Sequence, residues 1–265
     1  MPEVSVIGAR LEDGLQVIRE LERGLSSTVY LASDGKVLKA VKLFRPEHGG
    51  RARRELEIGR DLHHPNLNPI ERAVELAGRP GVMMPLAPGV RLATWTARGA
   101  GIGARLGVLA GVADALAHLH GRGVVHRDVK PENILVDSLG RARLLDYDLA
   151  ARIGDQEGPA VAGTIAYLSP EQVRGEAVAP ATDLYSFGAL VYQTLTGQVP
   201  FAGSVAEVLA AHSHEEPAPP SRLVPGLAAL DGLALSLLAK RAEQRPASAA
   251  EVARRLREAA AVWRG

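Results

Sequence analysis

The chain has 265 residues, of which 46% are hydrophobic and 23% charged, and its formal net charge is +1. This balance is ordinary for a globular protein that buries a core, and it predicts no attraction to nucleic acid or anionic membranes. The absence of cysteine excludes disulfides, thiolate catalysis and cysteine-ligated zinc. No signal peptide or membrane-spanning segment is predicted, because no basic start precedes an apolar run and the longest apolar stretch is short. We therefore expect a cytoplasmic protein.

The first third of the chain predicts β-strands and one helix. Short runs rich in strand-forming residues lie at 15–21, 28–32 and 37–44. The charged segment 51–62 favours a helix that stops at Pro65. Its basic cluster, Arg51, Arg53 and Arg54, is interpreted as a solvated helix face.

From Gly89 onward the pattern is mainly helical. Apolar residues three and four apart predict a buried helix over 106–119, which Gly121 and Gly123 end. Further helices are predicted at 183–196, 227–238 and 247–262. Two short apolar runs, 124–125 and 134–136, flank a polar loop. A β-rich part followed by a helical part predicts a ligand cleft where the two join.

Four polar residues in and after this loop have the chemistry that phosphoryl transfer requires. Asp128 can accept the proton of an acceptor hydroxyl, and Lys130, two residues on, can offset charge on the moving phosphoryl group. Asn133 and Asp146 supply the oxygen ligands that Mg²⁺ prefers.

The run His126–Asn133 (HRDVKPEN) matches the catalytic-loop signature H-R-D-L-x-x-x-N of protein kinases, with valine in place of leucine. Lys130 at this place resembles the serine/threonine kinases. The whole pattern is closest to bacterial, eukaryotic-like (Hanks-type) serine/threonine kinases. The resemblance implies an α+β, bilobal protein-kinase fold in one domain, with a small lobe at 1–86 and the hinge and large lobe at 87–265.

The resemblance also assigns catalytic roles outside the loop. Lys42 is implied to hold the α- and β-phosphates of ATP, and Glu55 to pair with that lysine; Glu57 is the alternative partner. Thr164, in a run that matches the end of the activation segment (GTIAYLSPE, 163–171), is expected to bond near Asp128. Two further residues have structural roles: Asp183 is implied to anchor the catalytic loop, and Arg245 is implied to pair with Glu171.

The same alignment implies a set of nucleotide-binding residues. They are Leu21, Gly24, Ser27, Val29, Ala40, Lys42, Met84, Pro85, Ala87 and Leu135. Met84 is the implied gatekeeper, and the backbone C=O of Pro85 and N–H of Ala87 would contact the adenine edge. Proline is acceptable at position 85 because that residue is asked only for a carbonyl.

The phosphate loop departs from the family. The pattern G-x-G-x-x-G-x-V falls on Glu22, Gly24, Ser27 and Val29, so only the middle glycine is kept. Glu22 adds negative charge and restricts the backbone, which predicts weaker ATP binding. The hydroxyls of residues 26–28 can partly compensate.

The usual Asp-Phe-Gly is replaced by Asp146-Tyr147-Asp148. Loss of the glycine should stiffen the motif and favour one conformation. Tyr147 can fill the aromatic position, and Gly59 can leave room for its hydroxyl. Asp148 is interpreted as a solvated carboxylate, with an additional metal ligand as the alternative.

Residues 149–162 contain no serine, threonine or tyrosine. Arg127 belongs to a kinase class often activated by a phosphate in this loop, yet the loop has no phosphate acceptor. Either Asp155 or Glu157 supplies a fixed negative charge, or activity does not use this switch. We therefore expect constitutive or partner-controlled activity.

The predicted function is ATP- and Mg²⁺-dependent phosphorylation of serine or threonine hydroxyls on proteins, with Mn²⁺ as an alternative metal. The expected partners are a protein substrate and a regulatory protein. A pseudokinase that binds nucleotide as a scaffold is the main alternative, and a small-molecule kinase on a related fold is a third. The degraded phosphate loop and Asp148 favour the pseudokinase. Retention of the complete catalytic set favours the enzyme more strongly; its members are Lys42, Glu55, Asp128, Lys130, Asn133 and Asp146.

Overall fold

The computed structural model describes residues 5–155 and 165–263, and its backbone divides into two compact units. The first, here the sheet unit, comprises Met1–Pro88 and Asp146–Asp148. The second, here the helical unit, comprises Gly89–Leu145 and Leu149–Gly265. The boundary predicted after Leu86 lies two residues before this division. The assignment of Asp146–Asp148 to the sheet unit was not predicted from the sequence.

The sheet unit is built on five antiparallel strands in the order β1-β2-β3-β5-β4. They are β1 (Gln16–Arg23), β2 (Ser27–Ser33), β3 (Leu38–Phe44), β4 (Arg72–Leu76) and β5 (Arg79–Pro85). One face of the sheet carries the apolar core, because side chains alternate along each strand. This core includes Tyr30, Val41, Leu43 and Met83, and the N-terminal residue Val6 packs into it.

Helix α1 (Gly49–Gly59) is the one helix that the sequence predicted in this unit. The expectation that it runs to residue 62 and stops at Pro65 is wrong. The backbone C=O of Gly59 instead accepts bonds from the N–H groups of Leu62 and Ile70, both at 3.3 Å. A Cβ on Gly59 would lie 2.3 Å from Cγ1 of Ile70. The chain at Leu62 and Ile70 packs against Gly59 and bonds to its C=O. Helix α1 therefore ends at Gly59, six residues before Pro65.

The helical unit contains seven α-helices within the described ranges. They are α2 (Leu92–Ala97), α3 (Ile102–His120), α4 (Pro170–Arg174), α5 (Pro180–Thr196), α6 (Val205–His214), α7 (Ala228–Leu237) and α8 (Ala249–Val262). Helix α3 packs against α8, α5 and the short strand Ala142–Leu144, and its buried residues lie on most of its circumference. Among the described helices, only α3 has the length and hydropathy that a membrane span needs, and more than half of it is buried inside the unit.

Five short strands complete the helical unit in the part of it that the structure describes. They are β6 (Val90–Arg91), β7 (Val124–Val125), β8 (Ile134–Val136), β9 (Ala142–Leu144) and β10 (Ala151–Arg152). Strand β7 pairs with β10, and β8 lies between β6 and β9. The two apolar runs predicted beside the polar loop are thus β7 and β8, and they hold its two ends. Helices α2, α4 and α6 were not predicted, because their short segments lack a long apolar repeat.

A buried ion pair joins α4 to the chain before α8. Arg245 donates to both carboxylate oxygens of Glu171, at 2.7 and 3.0 Å, and also to three backbone carbonyls. Its side chain has no exposed surface. Removal of one partner would leave a charge without its counter-charge in a place with little access to water, because Arg245 is fully buried and Glu171 nearly so.

Glu171→Ala should therefore destabilise the helical unit by about 3–5 kcal/mol, since the Arg245 guanidinium would stay buried and lose its counter-charge. Urea unfolding measures the loss. The matched control is Glu243→Ala, because the Glu243–Arg241 pair is 75% exposed on both sides, and its loss should cost less than about 1 kcal/mol. Equal effects of the two substitutions would contradict the assignment of a structural role to Glu171.

Candidate catalytic and nucleotide-binding site

In the sheet unit the candidate site centres on Lys42. Its ammonium lies 2.9 Å from a Glu55 oxygen and 2.5 Å from Oδ1 of Asp146. Lys42 is on β3 and Glu55 on α1, so the pair fastens the helix to the sheet. The structure brings together three of the residues singled out in the sequence, and Glu55 rather than Glu57 is the partner of Lys42.

Burial and neighbouring charge shift the pKa values of this cluster in opposite directions. Burial by itself would lower the pKa of Lys42, but the carboxylates of Asp146 and Glu55 outweigh it and raise that pKa above its usual value. Burial raises the pKa of the Glu55 carboxyl, and the Lys42 ammonium opposes the rise. Lys42 therefore stays a cation, which is the state that attracts phosphate oxygens.

Tyr147 is completely buried in the sheet unit. Its hydroxyl donates to the backbone C=O of Asn68 at 2.9 Å, and its N–H donates to Oε1 of Glu55 at 3.3 Å. A Cβ on Gly59 would lie 3.1 Å from the Tyr147 ring, so the glycine does admit the aromatic group. The phenolic oxygen, however, is accommodated by Asn68, a partner that the sequence did not suggest.

The interpretation of Asp148 as a solvated carboxylate is wrong. Its Oδ2 accepts a hydrogen bond from Oγ of Ser26 at 2.9 Å and pairs with Nη1 of Arg51 at 3.2 Å. Only 11% of its side chain is exposed. Arg51 is correspondingly not part of a purely solvated face, whereas Arg53 is exposed as expected.

Four of the predicted nucleotide-binding residues share one face of the sheet. Lys42 pairs across the ladder with Val29, and Ala40 pairs with Met84. Neighbours in register project to the same side, and this is the side opposite the core that holds Tyr30 and Val41. Val29 keeps part of its surface exposed, so this face can accept a planar ligand.

The loop between β1 and β2 is tight although Gly24 is the one glycine of the family pattern that it keeps. The N–H of Gly24 donates to the C=O of Ser27 at 2.9 Å. Glu22 stands directly across from Val29, and Leu21 lies at an irregularity of the β1 register. Glu22 is therefore beside a predicted nucleotide contact, as the sequence suggested.

The last residue of β5, Pro85, makes a contact that the sequence did not predict. The Pro85 carbonyl, predicted to contact the adenine edge, accepts a hydrogen bond from Nδ2 of Asn68 at 3.3 Å. A carbonyl oxygen has two lone pairs, so one acceptor position remains for a ligand. Ala87 follows β5, and Leu135 lies in β8 of the helical unit.

In the helical unit the loop between β7 and β8 is held by Asp183 of α5. The carboxylate accepts the N–H groups of His126 and Arg127, both at 2.8 Å, and contacts Nε2 of His120 at 2.8 Å. Burial would raise the pKa of Asp183, but these donors outweigh it and lower the pKa. Asp183 thus anchors the loop backbone as the sequence predicted. Arg127 has a φ of 68°, a backbone state that this anchoring sustains.

Asp128, Lys130 and Asn133 meet at the centre of this loop. Nζ of Lys130 lies 2.7 Å from Oδ2 of Asp128, and Nδ2 of Asn133 donates to the same oxygen at 2.8 Å. Nδ2 also donates to the Asp128 backbone C=O at 2.9 Å. Because the Asn133 amide nitrogen faces Asp128, its amide oxygen is left to act as the ligand for a cation.

The donor set suits Mg²⁺ that keeps waters and phosphates in its shell. No cluster of three or more His, Asp or Glu side chains suited to a metal occurs in residues 5–155 and 165–263. Asp146 in the sheet unit, 36% exposed, and Asn133 in the helical unit each carry an oxygen of the kind that Mg²⁺ prefers, and the sequence predicts each as a ligand of the ion. Thr164 and Glu157 lie outside the described residues.

Sequence reasoning missed several contacts of these site residues. They are made by Ser26, Arg51, Asn68, His120 and Gln172. Gln172, for example, donates to the Arg127 C=O at 2.9 Å and adds a second support to the loop. Each lies far along the chain from its partner, so no local pattern could have indicated it.

Comparison with known proteins places this geometry in a family. The family model "Protein kinase domain" matches residues 15–254. The chain belongs to the protein kinase family. The predicted assignment to the bacterial serine/threonine kinases is confirmed, as is the protein-kinase fold with a β-sheet small lobe and a helical large lobe.

Two curated relatives illustrate the similarity. The serine/threonine-protein kinase PknB of Mycobacterium tuberculosis is 34% identical over 270 residues, covering 92% of this chain and 42% of PknB. Pkn1 of Myxococcus xanthus is 36% identical over 264 residues, covering 92% of this chain and 38% of Pkn1. The chain thus spans less than half the length of these relatives.

A solved structure agrees with the same conclusion. The crystal structure of the kinase domain of PknI from Mycobacterium tuberculosis matches with a TM-score of 0.75 at 26% identity. The match covers 96% of this chain and 99% of the PknI domain. Nearly the whole chain therefore corresponds to a kinase domain.

Tyr147→Phe should keep the buried ring but lose the hydrogen bond to the Asn68 carbonyl, which costs about 1–2 kcal/mol of unfolding free energy. Chemical denaturation measures the loss. Tyr30→Phe is the matched control, since Tyr30 is buried in the same unit and its hydroxyl makes no hydrogen bond within the described part of the chain. An equal or smaller effect of Tyr147→Phe would show that the Asn68 contact does not hold the motif.

Proposed function

We propose that the chain is an active kinase that transfers the γ-phosphoryl group of ATP to serine or threonine hydroxyls of proteins. The observation that carries the proposal is the Lys42–Glu55 pair, which is formed and buried beside Asp146. A scaffold that only binds partners has no need to bury two charges in this way, because each loses its hydration.

The roles proposed for the sheet unit concern the nucleotide. Lys42 attracts phosphate oxygens, and Glu55 limits the positions that its ammonium can take. Val29, Ala40 and Met84 offer an apolar face to the adenine ring. Asp146 in this unit is a proposed Mg²⁺ ligand, as is Asn133 in the helical unit, and the ion would neutralise the phosphate charge.

The roles proposed for the helical unit concern the acceptor. Asp128 takes the proton of the attacking hydroxyl, and its carboxylate is oriented by the Asn133 amide. Lys130 lies against that carboxylate and can offset charge on the transferred group. The relatives named as serine/threonine-protein kinases support this class of acceptor. We also propose that Thr164 helps to bind the acceptor peptide.

The phosphate loop sets the strength of nucleotide binding in this proposal. Glu22 lies across from Val29, so its charge opposes that of the phosphates. We infer weaker ATP binding than a loop with three glycines would give. The competing proposal, a pseudokinase, rests on the same observation.

The decisive assay follows labelled phosphate from ATP, with Mg²⁺ or Mn²⁺, onto a generic protein substrate. Asp128→Asn should reduce transfer at least about 100-fold, because the amide cannot accept the hydroxyl proton. Asp61→Asn, a change at an exposed aspartate of the sheet unit, is the control and should leave transfer unchanged. ATP binding by the unmodified chain without any transfer would support the pseudokinase instead.

Control by phosphorylation of residues 149–162 is not part of the proposal, since that segment has no hydroxyl side chain. We infer constitutive or partner-controlled activity. Treatment with a broad phosphatase, followed by its removal, should leave the transfer rate unchanged. Complete loss of activity after the treatment would reject this inference.

A further inference from the structure

Asp148 connects three segments of the sheet unit that are far apart in the sequence. Its Oδ2 accepts from Ser26, in the loop between β1 and β2, and pairs with Arg51 of α1. Its backbone N–H donates to Oδ1 of Asp146 at 3.0 Å. One residue therefore contacts the phosphate loop, the helix and the predicted metal ligand.

The burial of Asp148 makes these contacts strong. Its side chain is 11% exposed, and its Oδ1 is buried without a hydrogen bond in the described part of the chain. A carboxylate that has lost most of its water depends on the few donors that remain. The bonds from Ser26 and Arg51 are therefore worth more than bonds on an open surface.

Helix α1 is fastened to residues 146–148 at two points one turn apart. Arg51 and Glu55 are separated by four residues and lie on the same face of α1. Arg51 pairs with Asp148, and Glu55 accepts the N–H of Tyr147 while it pairs with Lys42. Rotation of the helix would break both attachments together.

We propose that Asp148 is a positioning residue that holds α1 and the phosphate loop where Lys42 is paired with Glu55. The contact with Arg51 takes the place of a phosphate in the activation segment, which has no acceptor at 149–162. The inference rests on the proposed kinase function and names how that site is kept competent. Asp148 acts on Lys42 and Glu55 through α1 and the phosphate loop, and it makes no contact with substrate.

The test combines five single substitutions and one double substitution. Asp148→Ala should weaken binding of Mg²⁺–ATP and lower kcat, with kcat/KM for ATP falling about tenfold or more through loss of a charge-assisted bond. Ser26→Ala should raise KM for ATP and leave kcat unchanged, since it releases the loop alone. Arg51→Ala should chiefly lower kcat, since it releases the helix.

A double-mutant cycle separates an effect of Asp148 on the position of α1 from a general loss of stability. The double variant with Asp148→Ala and Arg51→Ala should be no worse than Asp148→Ala alone, because both changes remove one contact. Asp148→Asn should keep the Ser26 bond, and with it KM, but lose the charge that holds Arg51. Arg53→Ala, a change at an exposed arginine of the same helix, should leave all constants unchanged.

Calorimetric titration with Mg²⁺–ATP gives a second measurement that needs no turnover, and circular dichroism verifies that each variant is folded. Unchanged ATP binding and kcat in folded Asp148→Ala would overturn the inference, as would additive losses in the double variant. A rise in activity would also overturn it, because Asp148 would then be an inhibitory contact. If the unmodified chain binds ATP but transfers no phosphate, the proposed function fails, whereas weaker ATP binding by Asp148→Ala would still support the positioning role.

Discussion

The sheet unit depends on one buried cation. Lys42 is 3% exposed, and an ammonium removed from water is stable only if carboxylates surround it closely. Glu55 and Asp146 meet that requirement, and they come from α1 and from a segment more than a hundred residues later in the chain. The need to compensate one charge thereby fixes a strand, a helix and a distant segment in mutual register.

The helical unit applies the same principle with the sign reversed. Asp183 is a fully buried anion, and it is satisfied mainly by backbone N–H groups of the loop that carries Asp128. A flexible polar loop would otherwise sample many conformations, at a large entropic advantage over the ordered one. The buried Asp183 carboxylate stabilises the ordered loop. If the loop left this position, the carboxylate would lose its hydrogen-bond donors and remain buried. This anchoring fixes the backbone of the loop that carries Asp128, Lys130 and Asn133.

The departures from the family pattern form a connected set in the structure. Tyr147 gains a hydroxyl that Asn68 accepts, and Asp148 gains a carboxylate that Ser26 and Arg51 bind. Each of these two side chains places a polar group in a buried position, where a neighbouring group forms a hydrogen bond with it. Residues 146, 147 and 148 are each hydrogen-bonded within the sheet unit, and the segment that follows, 149–162, lacks a phosphate acceptor.

The sequence by itself determined the class of fold, the strands β2 and β3, the long helices α3, α5 and α8, and the loop His126–Asn133. These follow from local periodicity and from motifs in which neighbouring residues share one task. Tertiary structure alone decided the end of α1 at Gly59 and the binding of Arg51 by Asp148. Arg51 and Asp148 are 97 residues apart, and Ser26 and Asp148 are 122 apart. A charged residue has the same local pattern whether it faces water or a partner, so only the folded chain shows which of the two it meets.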